Sequence, residues 1–347
     1  MQNSRSHACS DSVLMLNMLR GDMQAHDKFF KLIFAKVRNA ADLLRSVLPA
    51  ALVKYLDFDK MTDARETSLR TSSIDGQVEQ RFKDLLYRLP FKEGEQVFYV
   101  LLEHKSRPED LTTFQSHRYM VDAWSAHLAN NKNATKLPDI LPVVVHLGIG
   151  GWTKSIDLSE DFPVLPKEAL DAIATYRVRS RFILYDAATE SDAVLRQRGM
   201  NAEATLAIWA MVHAPRNKDI TADFPAVLDL MNAVRDEPYG LEDFAAVVGY
   251  ILEVSETPGE KIHSYLTINL GPKAEKAFMT AAEQIRQKAL LHDRRANLYA
   301  ILKVRGVMIP DFVRVRIDGC DDIEQLGTWL LRAVTVDSAT AMLEESS

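Results

Sequence analysis

Three ionisable side chains, Asp84, Glu103 and Lys105, occupy positions from which they could act together. They flank two short apolar runs, Leu85 to Leu89 and Val97 to Leu102, separated by a polar turn containing Gly94. Runs of this length joined by a Gly-bearing loop read as a β-hairpin. Side chains alternate across a strand, so Glu103 and Lys105 project from one face with Val97, Tyr99 and Leu101. The hairpin folds Asp84 back toward the same sheet terminus. Two carboxylates from neighbouring strands suit a hard divalent cation such as Mg²⁺, which takes one or two protein carboxylates and completes its shell with water and phosphate oxygens. Hydrolysis of a phosphodiester needs a polarised nonbridging oxygen, a nucleophilic water and a stabilised developing charge. A metal on Asp84 and Glu103 would serve the first two needs, and Lys105 would orient the water and stabilise the charge. The bland account makes all three ordinary surface charges at strand ends.

Composition sets the frame for those residues. The chain has 347 residues, 47% apolar and 26% charged, the balance of a globular protein with a sizeable core. No apolar run reaches the roughly 18 residues of a membrane span, so no membrane partner is expected. The patch Val13 to Leu19 is too short and interrupted for a signal-peptide core, and two distant cysteines, Cys9 and Cys320, suggest neither a disulfide framework nor a metal cluster. The expected compartment is the cytoplasm. A net charge of −6 does not favour nucleic acid, but phosphate contacts come from one surface. Gln284 to Arg316 gathers Arg286, Lys288, Arg294, Arg295, Lys303, Arg305, Arg314 and Arg316 against Asp293 and Asp311. That stretch reads either as a basic face or as a solvated helix surface.

The supporting elements follow from periodicity. Met1 to Gln24 lacks it and reads as a mobile tail. Phe29, Phe30, Ile33, Phe34 and Val37 recur at helical spacing, and a second helical run, Ala40 to Leu56, breaks at Pro49. Asp57 to Gln80 is polar, with a strand expected near Thr71 to Ile74. After the hairpin a helix is expected from about Leu111 to Asn130. Ile140 to Leu147 is apolar on both sides, the pattern of a strand buried on two faces, and Arg181 to Tyr185 is one more short strand. From Asn201 the pattern is helical: Ala202 to Ala214, Phe224 to Arg235, Leu241 to Ser255 and Pro272 to Arg295. Leu298 to Leu343 reads as two apolar helices around Val307-Met308-Ile309-Pro310. The order predicts an α/β core with a helical extension.

The stretch KDLLYRL, then YVLLEHKSRP, a helix containing RYM, and LPVVVHLGIGGW, beginning at HDKFFKLIF, resembles the Rpn family of recombination-promoting nucleases. That family is transposase-like and belongs to the PD-(D/E)XK nuclease superfamily. The resemblance implies a PD-(D/E)XK restriction-endonuclease-like core, a central mixed sheet flanked by helices, with a helical C-terminal extension. It divides the chain into a tail at 1–24, a nuclease-like domain at 25–240, a helical connector at 241–296 and a small helical C-terminal domain at 297–347. It also implies that Asp84 and Glu103 bind Mg²⁺, with Mn²⁺ as substitute, and that Lys105 acts as base or stabiliser. The family's usual wording is close to LLEHQS, so Lys105 restores the lysine of the superfamily motif.

Two further expectations rest on the same likeness. Gln115 and Tyr119, four apart on one helix face, match the Gln-x-x-x-Tyr pattern of some relatives, where that helix contacts DNA; Arg118 lies between them. His26-Asp27 resembles the family's opening pair, making Asp27 either a supporting metal ligand or an N-cap. His146 reads as a structural histidine and Trp152 as packing. The function implied is a metal-dependent DNA endonuclease linked to recombination or mobile DNA. An inactive DNA-associated or protein-interaction module is the alternative. A strand-joining transposase is disfavoured, because such enzymes use three acids in a different fold. Leu326, Trp329, Leu330 and Val334 form a helical apolar stripe that predicts homo-oligomerisation through the C-terminal helices.

Overall fold

The computed structural model describes residues 25–64, 85–94 and 96–344. The N-terminal tail, the strand expected near Thr71 to Ile74, and Asp84 lie outside the described residues. Five strands form one mixed sheet in the order β1 (Thr62–Asp63), β2 (Leu85–Pro90), β3 (Val97–Lys105), β4 (Asp139–His146) and β5 (Ile183–Asp186). The first three are antiparallel and the last three parallel. The hairpin predicted from alternation is β2–β3, turning through Gly94 at φ 87° and pairing Leu85 with Leu102. The β3–β4 pair, with Glu103 opposite Val144 and Lys105 opposite His146, requires a crossover.

Helices cover both faces of this sheet. On the N-terminal side lie α1 (residues 25–34) and α2 (Val37–Val47). The β3–β4 crossover is α3 (Thr112–Asn130), which packs Ala123, with Tyr119, Met120 and Trp124, on Leu86, Tyr99, Leu101 and Ile140. Odd-numbered residues of β3 therefore face α3. Even-numbered ones face the other way, where His104 stacks on Phe30 of α1, the ring centroids 5.1 Å apart. Beyond β5 the chain is helical through α4 (Ala202–His213), α5 (Leu228–Asp236), α6 (Gly240–Val254) and α7 (Gly259–Leu270); α7 is an element the sequence pattern did not reveal.

The first of two compact units runs to Ala274. Its least expected feature is Glu203, a carboxylate with no solvent exposure on α4. It accepts hydrogen bonds from Lys36 at 2.6 Å, Arg38 at 3.1 Å and Asn39 at 3.0 Å. Lys36 also donates to Asp243 of α6 at 2.5 Å. The Asn201 side chain caps α4 by accepting from the Ala204 N–H and donates to Asn39 and Asp42. A buried ion becomes tolerable only when paired and fully hydrogen-bonded, and this one is.

The second unit begins at Glu275, in the first turn of α8 (Pro272–Val304), and continues through α9 (Asp311–Asp318), α10 (Ile323–Ala333) and α11 (Ala339–Leu343). The two helices expected after Leu298 are thus the end of α8 and three shorter helices. Leu298, Leu302, Val313, Ile317, Leu326, Trp329 and Met342 close one core. Leu326 and Trp329, expected to line an oligomer seam, are consumed inside it, while Val334 is exposed. Three of the eight cations of the basic run are committed within the unit. Arg294 donates to the Ile323 carbonyl, Arg295 to the Cys320 carbonyl and Asp321, and Arg305 to the Ala333 and Val336 carbonyls. These guanidinia satisfy chain turns and helix ends. No helix among the described residues is long and apolar enough to cross a membrane.

Glu203→Ala strips Lys36 and Arg38 of their shared anion and should lower unfolding free energy by about 3 kcal/mol or more, read by urea titration. Burial opposes the Glu203 charge, but the bonds from Lys36, Asn39 and Arg38 outweigh it and hold its pKa below the ordinary value. A depressed carboxylate stabilises above its unfolded pKa, and the gain is lost as pH falls through the folded one. The native melting temperature should therefore drop below about pH 4, and Glu203→Gln should flatten that limb.

Candidate active site

The end of β3 is where the chemistry-bearing residues meet. Period-2 alternation sends Glu103 and Lys105 to the α3 face, and both are buried, 3% and 9% exposed. The Lys105 ammonium lies 3.0 Å from Glu103 Oε1 and 3.0 Å from Glu109 Oε2. It also donates to Gln115 Oε1 at 2.9 Å, and Gln115 Nε2 donates to the Tyr119 hydroxyl at 2.8 Å. The pair of residues picked out by helical spacing, Gln115 and Tyr119, is thus joined to Lys105 in one hydrogen-bonded line. Arg118 places its guanidinium 5.4 Å from the Tyr119 ring centre.

Glu109 was not anticipated, although it is one of the two carboxylates paired with Lys105 among the described residues. It follows Pro108 in the turn between β3 and α3, where neither strand nor helix periodicity applies. The turn reaches α3 through Leu111 at φ 60°, a left-handed conformation that costs a β-carbon residue about 1–2 kcal/mol. Thr112 closes it by donating to the Glu109 carbonyl at 2.9 Å. These contacts fix the distance between Lys105 and the first turn of α3.

The neighbouring strand end is built without freedom. His146 is fully buried and bonded through Nδ1 to Asp186 at 2.8 Å, while Asp186 also accepts from the Trp152 N–H at 2.6 Å. Trp152 packs edge-on against His146 and Phe182. Both rings are packed in the interior, and His146 Nε2 and Trp152 Nε1 have no hydrogen-bond partner among the described residues. Gly148 is required by close approach: a Cβ there would lie 1.8 Å from the Ser106 carbonyl oxygen.

Behind the strand, His104 and His26 stack with centroids 6.1 Å apart, and Tyr250 is hydrogen-bonded to His26 at 2.7 Å. Burial pushes His26 down to about 4 and His104 well below the usual histidine range, so both are neutral at pH 7. Asp27 lies inside α1, not ahead of it, so it is no N-cap. Its carboxylate is partly exposed and pairs with Lys31 at 2.7 Å. Asp84 immediately precedes Leu85, whose partner Leu102 immediately precedes Glu103, but Asp84 itself is outside the described residues. Among the described residues no group of three His, Cys, Asp or Glu side chains could hold a metal ion.

Residues 24–240 match the family described as "Putative transposase, YhgA-like". The chain is similar to the recombination-promoting nuclease RpnA of Escherichia coli strain K12, 24% identical over 295 residues, which cover 83% of this chain and 92% of RpnA. It is similar over a shorter span to the recombination-promoting nuclease RpnD of Escherichia coli O157:H7, 27% identical over 124 residues, 35% of this chain and 45% of RpnD. The inactive recombination-promoting nuclease-like protein RpnE of strain K12 is 25% identical over 123 residues, 35% of this chain and 39% of RpnE. No solved structure matches the chain.

Burial is the largest influence on Lys105 and disfavours its charge; Glu103 and then Glu109 outweigh it and hold the pKa above the ordinary lysine value. Glu109→Gln removes one of the two anions, so the Lys105 titration midpoint should fall. Carbon-13 NMR of the lysine ε-position across a pH series reads this directly. A midpoint unchanged by the substitution would show that Glu109 does not support the charge.

Proposed function

The chain belongs to the YhgA-like transposase family, and on that premise we propose that it is a Mg²⁺-dependent DNA endonuclease linked to recombination. The observation that carries this reading is the buried Lys105 ammonium, bonded at once to Glu103, Glu109 and Gln115 at the end of a central strand. Ionisable groups buried together at a strand end are unusual in a core that has no need of them, and such clusters concentrate at functional sites.

A divalent metal fits the donors. Glu103 Oε1 already faces a cation at 3.0 Å, and the donors at hand are hard oxygens. Glu103 would hold the ion with Asp84; Asp27 would join as a third ligand by exchanging Lys31 for it. When bound, the ion would polarise the phosphate and lower the pKa of a coordinated water. The chain's own part is then positioning. Lys105, fixed by Gln115 and Glu109, orients the attacking water and stabilises charge developing on the phosphate. Tyr119 holds Gln115, and Arg118 and Tyr119 offer α3 to the DNA strand. Self-association, if it accompanies activity, would draw on the exposed Val304, Met308, Phe312 and Val315 of the second unit.

One observation favours the alternative of an inactive DNA-associated or interaction module. All three acceptors around Lys105 come from the chain itself, so the cluster is complete as a structural ion pair, and one relative, RpnE, is named inactive. Nicking of supercoiled plasmid decides between them. The native protein should cut with Mg²⁺ or Mn²⁺ and stop with chelator. Asp84→Asn and Glu103→Gln should abolish cutting, and Lys105→Ala should slow it by about 10²–10³ with little loss of DNA affinity. Melting curves of each variant separate lost chemistry from lost fold. Native protein that never cuts, or carboxylate variants that cut at native rates, would remove the nuclease reading.

A further inference from the structure

A second feature of the first unit is used by none of these steps. Between β4 and β5 the chain forms a cavity of about 640 Å³, lined by Asp157, Ser159, Asp171, Arg177, Arg179 and Arg181 among others. Three guanidinia face two carboxylates, in a chain whose net charge is −6. Two of the three are committed. Arg181 pairs with Asp157 at 2.6 Å, and Arg177 donates to the Ser159 carbonyl at 3.2 Å with its guanidinium 5.0 Å from the Phe162 ring centre. Asp157 is fully occupied as well. It accepts from the Ser159 N–H and from Arg181, and those bonds hold its pKa at about 2. Arg179 is different: among the described residues it makes no hydrogen bond and no ion pair.

Arg179 is exposed at the rim of this concavity, between two tied guanidinia, and is available to an anion. Its planar fork matches two phosphate oxygens, and the residues beside it need not move to admit them. The cavity is also placed relative to the candidate active site. Its wall, the turn Leu158–Asp161, is fastened to α3 by a hydrogen bond from Thr113 to Asp161, and Thr113 lies two residues before Gln115. A second tie, Lys154 to Asp110 at 2.6 Å, joins the same segment to the turn that carries Glu109. Tyr176, adjacent to Arg177, is 86% exposed, an aromatic surface of the kind on which unpaired bases stack.

We infer that this cavity is a phosphate-binding subsite for the DNA backbone, with Arg179 as its receiving group, set beside the reacting centre by the Thr113–Asp161 and Lys154–Asp110 ties. It holds a phosphate other than the one being cut and fixes the strand's register over Lys105. The inference rests on the nuclease reading for its substrate, but not for its test.

The test is fluorescence anisotropy of full-length protein with a labelled DNA duplex, in chelator so that nothing is cut, across a salt series. Arg179→Gln should weaken binding about tenfold or more, the value of a hydrogen bond to a charged group. It should also make the log–log salt slope shallower by about 0.9, one phosphate contact on duplex DNA. Because Arg179 bonds to nothing among the described residues, the variant's melting temperature should not move. Arg179→Lys, which keeps the charge but loses the fork, should restore the slope and only part of the affinity. Native affinity and slope in Arg179→Gln, or native protein that binds no DNA at any salt, would overturn the inference. The two readings fail separately. Plasmid nicking that is native in Arg179→Gln but lost in Glu103→Gln removes the subsite and keeps the nuclease. Salt-dependent binding that needs Arg179, in a protein that never cuts, keeps the subsite and removes the nuclease.

Discussion

A lysine buried to 9% exposure keeps its charge only against desolvation, and here the close carboxylates outweigh that cost. That requirement shapes the end of β3. Glu103 supplies one anion from the strand itself, at the i−2 position that alternation places on the same face. Glu109 supplies the second from a turn that has to fold back, and Leu111 accepts a left-handed backbone so that α3 begins in time to bring Gln115 into range. Each of these is a local concession to one charge. The hydrophobic contacts of Leu101, Ala123 and Ile140 behind them hold strand and helix close enough for the concessions to succeed.

The Glu203 network solves the same physical problem for a different end. There the buried charge is the anion, its partners come from the N-terminal helices, and Asp243 and Glu237 complete the circuit from α6 and the turn before it. Nothing in it opens toward a sheet terminus. One buried ion cluster thus lies at the end of a strand beside DNA-binding candidates, while the other pins helices together. The contrast shows that charge burial alone does not mark a site.

How far the sequence disclosed this depends on range. The hairpin was legible because alternation in Leu85–Leu89 and Val97–Leu102 and the Gly94 turn are local signals. Gln115 and Tyr119 were legible because four residues on a helix is a fixed distance. Glu109 was not, since a turn after proline has no period to read. The arginines at 294, 295 and 305 stayed open between two readings because a list of charges does not reveal whether a guanidinium meets a phosphate, a carbonyl or water. The stripe of Leu326 and Trp329 announced correctly that α10 has an apolar partner, but amphipathicity does not say whether that partner is another chain or a neighbouring helix of the same unit.

The reach of the Lys36 bond has a consequence for synthesis. Lys36 and Asp243 are 207 residues apart, and Tyr250 meets His26 across 224. At about 5–20 residues per second, the ribosome needs roughly 10–40 s to deliver Asp243 after Lys36 has been made. Throughout that interval the Phe29, Phe30, Ile33 and Phe34 face of α1 has emerged without the helix that will cover part of it, and Lys36 meets Glu203 only after 167 further residues and Asp243 only after 207. The nascent chain therefore carries an apolar, cationic amphipathic segment with its later partners still missing for many seconds.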